Sequence, residues 1–238
     1  MSDADFRDPV LLTGVGREGQ VGEVVARRLA ERGATLLLVD RTAEQARDRA
    51  TSLTSAGLRA FSFGCDLADP TAVSNLADRI RREHGDRLSA VVHAAGGFAL
   101  TGSFPESDLD VWHRMLTINL TTAYLVTRAF LPFLRAGRGA VVYFASEAAL
   151  PGAKVGAIGA YAVAKSGVAT LMRAVAQAEG TNGVRANAIA PSSIRTAANI
   201  EAMGKDVRYV EREEVASAVV FLCTSASSAV NGQLIALS

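Results

Sequence analysis

Thr13-Gly14-Val15-Gly16-Arg17-Glu18-Gly19-Gln20-Val21-Gly22 joins an apolar run, Val10 to Thr13, to a stretch of helical periodicity, Val21 to Arg32. Glycines at such a junction let the backbone pass close to a pyrophosphate while the first turn of the helix aims its N–H groups at it. The same glycines would also make an ordinary tight turn. Position separates the two readings. The loop is the first strand-to-helix connection, and the second apolar run, Thr35 to Val39, ends at Asp40, a carboxylate placed to accept hydrogen bonds from adenosine ribose hydroxyls. Gly14, Gly16, Gly19 and Val21 are therefore candidate pyrophosphate contacts, and Asp40 and Arg41 candidate ribose contacts. The plainer alternative for Asp40 is a cap on the next helix.

Outward from this loop, strand-like and helix-like stretches alternate. Val10 to Thr13, Thr35 to Val39, Leu58 to Cys65, Leu88 to His93, Ala140 to Ala145 and Val184 to Ala190 read as strands. Val21 to Arg32, Ala43 to Ala56, Thr71 to His84, Val111 to Arg135, Tyr161 to Glu179 and Glu213 to Thr224 read as helices. Such alternation implies right-handed crossovers and a parallel sheet with helices on both faces, a doubly wound Rossmann-type α/β fold. Leu36 to Val39 has no polar alternation, as a strand buried on both sides requires. Thr42 starts one helix, and Asp69-Pro70 opens another with proline where its missing N–H is harmless. Gly33, Gly57, Gly85 and Gly137 are expected in left-handed positions just past helix ends. No shift of composition marks a second domain, so residues 1–238 are expected to form one; the least regular part, Ser192 to Val210, is where a lid would sit.

Composition narrows the class. With 238 residues, 49% hydrophobic and 21% charged, the chain is globular, and a formal net charge of +1 gives no footprint for nucleic acid or an anionic membrane. Cys65 and Cys223 sit in separate apolar segments without metal or redox spacing, so they read as reduced core thiols and no metal site is expected. No apolar stretch approaches the roughly 18 residues of a membrane span, and the acidic start lacks a hydrophobic targeting core, which points to the cytoplasm.

The reacting groups stand further along. Tyr161 and Lys165 are four apart and share one helix face, where an ammonium beside a phenol favours the phenolate and is expected to lower its pKa. Tyr161 then suits a general acid for carbonyl reduction and a general base for alcohol oxidation, with Ser146 hydrogen-bonding the substrate oxygen. With these residues stand the Thr-Gly loop, Cys65-Asp66-Leu67, His93-Ala94-Ala95-Gly96, Asn119, Tyr161-Ala162-Val163-Ala164-Lys165 and Pro191 to Thr196. In that order and spacing the chain resembles the classical branch of the short-chain dehydrogenase/reductase (SDR) family, from about Val10 to Leu237.

The resemblance implies an NAD(P)(H)-dependent oxidoreductase acting on a small carbonyl or alcohol substrate, and a parallel sheet of about seven strands in the order 3-2-1-4-5-6-7. It implies Asn119, Ser146, Tyr161 and Lys165 as catalytic residues, Asn119 holding a water in a relay that ends at Lys165. It places Asp66 and Leu67 beside adenine, Ala95 and Gly96 near the adenosine ribose, and Pro191, Ile194 and Thr196 near the nicotinamide, with Lys165 on its ribose. It further implies a homodimer or homotetramer pairing the two longest helices, whose small residues Ala162, Ala169, Ala174 and Ala176 would allow close approach.

Asp40 favours NAD(H), since a carboxylate repels a 2′-phosphate; Arg41 and Arg17 pull toward NADP(H), the alternative. Several positions depart from the family pattern. The stretch from Gly14 to Gly22 is two residues longer than usual, and so is the interval from Ser146 to Tyr161. Ser192 follows Pro191 where glycine is preferred, and His93 and Ala94 replace two asparagines, removing side-chain bonds that brace the central strands. Phe98, Leu100, Phe104, Leu150, Val155 and Ile158 are candidates for an apolar pocket or for ordinary core. A catalytically weak dinucleotide-binding regulator and a dihydropteridine-reductase-like enzyme are the competing readings; the intact Asn-Ser-Tyr-Lys set favours a carbonyl reductase or alcohol dehydrogenase.

Overall fold

The computed structural model describes residues 5–16 and 18–238, so Arg17, weighed above as a partner for a 2′-phosphate, lies outside the described residues. Among the described residues there are seven strands: β1 Val10–Thr13, β2 Leu36–Asp40, β3 Ala60–Gly64, β4 Ala90–His93, β5 Ala140–Phe144, β6 Arg185–Pro191 and β7 Leu234–Leu237. They form one all-parallel sheet in the order β3-β2-β1-β4-β5-β6-β7, the doubly wound arrangement expected. The reversal of winding falls between β1 and β4, which opens a crevice at the carboxyl ends of those strands.

Alternate residues of each central strand feed two separate cores. Leu11, Leu37, Val91, Val141 and Tyr143 pack with α3 (Pro70–His84), α5 (Thr122–Gly137) and α6 (Gly159–Glu179) on one face. Leu12, Leu36, Leu38, Val92, Val142 and Ile189 pack with α1 (Val21–Glu31), α2 (Ala43–Ser55) and α8 (Arg212–Cys223) on the other. Two buried faces explain why these strands read as unbroken apolar runs.

The helix starts follow their caps. Thr42 Oγ1 accepts from the Gln45 N–H at the head of α2, and Asp69 accepts from the Thr71 N–H with Pro70 in the first turn of α3. Gly33, Gly57 and Gly85 are left-handed, with φ of +91°, +78° and +89°. Gly137 is a correction: it is the last residue of α5, and Arg138 takes the left-handed position with φ +52°. Glycine is required at 137 for a different reason, since a Cβ there would lie 2.2 Å from the Leu88 carbonyl oxygen.

Three further expectations change. The stretch Val111 to Arg135 is helical throughout, as expected, but not regular: a π-turn, Thr117–Thr121, divides it into α4 (Leu109–Leu116) and α5. Ser192 to Val210 is more regular than its composition implied, holding α7 (Ala197–Met203) and a parallel bridge from Ile194 to Val210. Ala162, Ala169 and Ala176 turn into the molecule's own core, and the outward face of α6 carries Val163, Ser166, Thr170, Ala174 and Gln177.

Candidate active site

The glycine loop leaves β1 at Thr13, and Gly14 turns with φ +71° where a Cβ would stand 2.4 Å from the Ala95 backbone. That contact packs the loop against the segment after β4, an approach only glycine permits. Asp40, at the end of β2, reaches back to the loop: its Oδ2 accepts from the Gly16 N–H at 3.0 Å and its Oδ1 from the Arg41 N–H at 2.8 Å. Thr42 caps α2, so Asp40 belongs to the loop site and the plainer reading of it falls. Val21 opens α1, and Arg41 is exposed beside the carboxylate.

Three side chains that the sequence reading missed brace the lengthened loop. Glu23 accepts from the Gly19 N–H at 2.6 Å and is held by Arg49 at 2.9 Å. Arg212, from the first turn of α8, donates through Nη1 to the Gly19 carbonyl at 2.7 Å, while its Nε is buried without a partner among the described residues. Separations of 26 and 193 residues leave no local signal for these contacts.

The remaining nucleotide candidates lie along the same crevice. Asp66 accepts from the Ala68 N–H in an exposed turn, and Leu67 beside it is buried in the core. Pro191 closes β6, Ile194 makes the bridge to Val210, and Thr196 caps α7 by accepting from the Asn199 N–H at 3.2 Å. The crevice therefore has the features a dinucleotide requires: a glycine-rich loop, the start of α1, and a carboxylate at the loop's side.

Asn119 sits in the π-turn, buried, where its Oδ1 accepts from the Gly97 N–H at 3.1 Å and its Nδ2 donates to the carbonyls of Gly97 and Met115 at 3.0 Å. A Cβ on Gly96 would meet Asn119 Oδ1 at 2.5 Å and Lys165 Nζ at 3.5 Å, so Gly96 is the gap into which both side chains lead. The Asn119 side chain is thus occupied by backbone, and it fixes the π-turn against the segment after β4.

Ser146 follows β5 and accepts from the Ala148 N–H at 3.2 Å, which leaves its hydroxyl proton free to donate. Burial pushes the Tyr161 phenol above its ordinary pKa; the Ser146 hydrogen bond draws it down, and the nearby Glu147 carboxylate raises it. The net shift is therefore upward, where a lowered pKa was expected: burial outweighs the groups that favour the phenolate. The ammonium stands over the Tyr161 ring, 5.6 Å from its centroid, and donates to the Phe144 carbonyl at 2.8 Å. Without a carboxylate partner Lys165 is itself destabilised by burial, its pKa pushed down to about 8. The resting tyrosine is consequently the protonated phenol, the form a general acid needs.

His93 ends β4 with both ring nitrogens engaged, Nδ1 at 3.0 Å from Thr13 Oγ1 and Nε2 at 3.3 Å from Thr122 Oγ1. The brace expected to be missing at this position is present. Above the site, Phe98 meets Tyr161 edge to face at 5.1 Å, and Thr101 donates to the Ala157 carbonyl, lacing the loop after β4 to the turn before α6. Phe98, Leu100 and Phe104 stay exposed and form an apolar rim beside this mouth.

Comparison with known proteins agrees with the geometry. Residues 14–238 match the family model described as Enoyl-(Acyl carrier protein) reductase. The chain is 34% identical to cis-4-hydroxycyclohexanecarboxylate dehydrogenase of Sinomonas cyclohexanicum, over 93% of this chain and 92% of that one. It superposes on a short-chain type dehydrogenase/reductase from Mycobacterium ulcerans with a TM-score of 0.86 and 31% identity, covering 97% and 88% of the two chains. It does so also on a 3-oxoacyl-[acyl-carrier protein] reductase with bound NAD from Brucella melitensis, with a TM-score of 0.86 and 27% identity, covering 98% and 90%. With this fold and this extent of similarity, the chain belongs to the short-chain dehydrogenase/reductase family of NAD(P)-dependent oxidoreductases.

Proposed function

We propose that residues 1–238 act as one nucleotide-binding domain that interconverts a small carbonyl compound and its alcohol, with Tyr161 as the proton donor and acceptor. The convergence of the Ser146 hydroxyl and the Lys165 ammonium on the Tyr161 phenol carries this reading. The glycine loop, Asp40, the segment Ala95-Gly96 and Thr196 would hold a nicotinamide dinucleotide, which when bound would supply or take the hydride.

The chain's own groups handle the proton. The Tyr161 hydroxyl, kept protonated by burial, delivers its proton to the substrate oxygen in reduction, and Ser146 donates to the same oxygen to hold it in line. Lys165, over the ring, stabilises the phenolate left behind, and the Asn119 turn leads from that ammonium toward the crevice. In oxidation the same groups act in reverse. Asp40 favours NAD(H) by repelling a 2′-phosphate. The apolar rim at Phe98, Leu100 and Phe104 fits a substrate with an apolar body. The two thiols are buried, with Cys65 pushed up to about 11 and Cys223 up to about 12, which fits a reducing cytoplasm.

Tyr161→Phe keeps the ring and removes the proton donor. Turnover should fall by roughly 10²–10⁴-fold, the usual share of general acid–base catalysis, with NADH affinity by fluorescence titration unchanged. Wild-type turnover of this variant in an assay limited by chemistry would overturn the assignment.

A further inference from the structure

We propose that His93 is a positioning residue: held as its Nε2–H tautomer, it ties the start of the glycine loop to the π-turn that carries Asn119. The proposal rests on the reading of Asn119 as part of the catalytic set.

Proton counting gives the direction of each bond. The π-turn is widened because the Thr122 N–H bonds to the Thr117 carbonyl, five residues back. The Thr122 hydroxyl donates to the Ile118 carbonyl at 2.9 Å. A hydroxyl has one proton, and a carbonyl can only accept, so His93 Nε2, 3.3 Å from Thr122 Oγ1, must be the donor there. Nδ1 then bears no proton and accepts from the Thr13 hydroxyl at 3.0 Å. The result is one directed chain from Thr13 through His93 and Thr122 to the Ile118 carbonyl. Burial, with the Lys165 ammonium adding to it, pushes the His93 pKa down to about 3, so the ring stays neutral and the chain unbroken at neutral pH.

Both ends of the chain lie next to functional backbone. Thr13 is the residue before Gly14, and Ile118 the residue before Asn119, whose amide grips Gly97 and crowds the gap at Gly96 with Lys165. A ring with nitrogens on opposite edges spans β1, β4 and the π-turn together, so a shift of the turn would move Asn119 relative to Lys165.

Two measurements on the whole protein test this. In ¹⁵N NMR of labelled histidine near pH 7, with the His93 signals identified by their loss in His93→Leu or by through-bond assignment, the ring should be the Nε2–H tautomer. An Nδ1–H or doubly protonated ring would overturn the proposal. The second uses Thr122→Val, which keeps shape and removes the acceptor. It should lower kcat on the order of tenfold, leave the Kd for NADH unchanged, and add no further loss to Asn119→Ala, because coupled residues are not additive. Wild-type kcat in Thr122→Val, or additive losses in the double variant, would overturn it. If Asn119→Ala itself keeps wild-type kcat, the catalytic reading of Asn119 fails and the proposal with it. A slow Asn119→Ala beside a wild-type Thr122→Val defeats the proposal alone.

Discussion

Lys165 carries an ammonium into the interior, where a backbone carbonyl at 2.8 Å is its hydrogen-bond partner. Because its pKa falls from 10.5 to about 8, the folded state holds the proton less firmly than the unfolded chain between those values. Stability therefore rises as the pH climbs from 8 to 10.5, and below 8 the fold carries the whole burial cost, roughly 3 kcal/mol. Lys165→Met should then raise the stability measured by urea unfolding at pH 7 by about 1–3 kcal/mol, the lost hydrogen bond offsetting part of the gain, while turnover collapses. Asp40 also trades against its surroundings. Its carboxylate is fixed by two backbone N–H groups at the edge of the proposed ribose site, so Asp40→Ala should narrow or reverse a preference for NADH over NADPH in fluorescence titrations. A wild-type preference for NADPH of about tenfold, or 1.4 kcal/mol, would mean that Arg41 and Arg17 outweigh Asp40.

At the scale of elements, the junction of α5 with β4 separates two explanations of one glycine. If Gly137 serves close packing, Gly137→Ala drives a methyl into the Leu88 carbonyl and should cost about 1–3 kcal/mol in thermal or urea unfolding. Arg138→Gly, which relieves the left-handed residue at φ +52°, should leave stability unchanged or raise it by up to about 1 kcal/mol. The strands of the sheet were legible because residues such as Leu36 to Val39 are buried on both faces. Thr42 and Asp69 were legible because capping is a local hydrogen bond. The π-turn at Thr117–Thr121 was not, since one extra residue in a helical turn changes no composition and shifts the apolar period only slightly. Seven-residue α7 is too short to show a period at all. In the site, Ser146, Tyr161 and Lys165 could be picked out by type and spacing, but the phenol's raised pKa could not, because it depends on burial. Arg49 and Arg212 act through contacts between segments 26 and 193 residues apart, and no short window of sequence contains both partners; Glu23 lies only four residues from Gly19, but nothing in its type marks it as a loop brace.

For the whole molecule, the outward faces of α4, α5 and α6 leave Leu109 70% exposed, Tyr124 51% and Val163 47%. An apolar set of this kind on adjacent helices fits a two-fold interface with a second copy, built on these residues and not on the alanines that face inward. Light scattering at micromolar concentration should report a dimer or tetramer, and Tyr124→Glu combined with Val163→Glu should reduce the mass toward the 24.9 kDa of one chain. A wild-type monomer under those conditions would rule the interface out. The tie between Arg212 and the Gly19 carbonyl spans nearly the full length of the chain. During synthesis the first strand, the glycine loop and α1 emerge from the ribosome long before α8 exists to hold them. A nascent chain stalled before residue 212 would present the loop without its clasp, so nucleotide binding should arrive late in translation, as one of the last properties the growing polypeptide acquires.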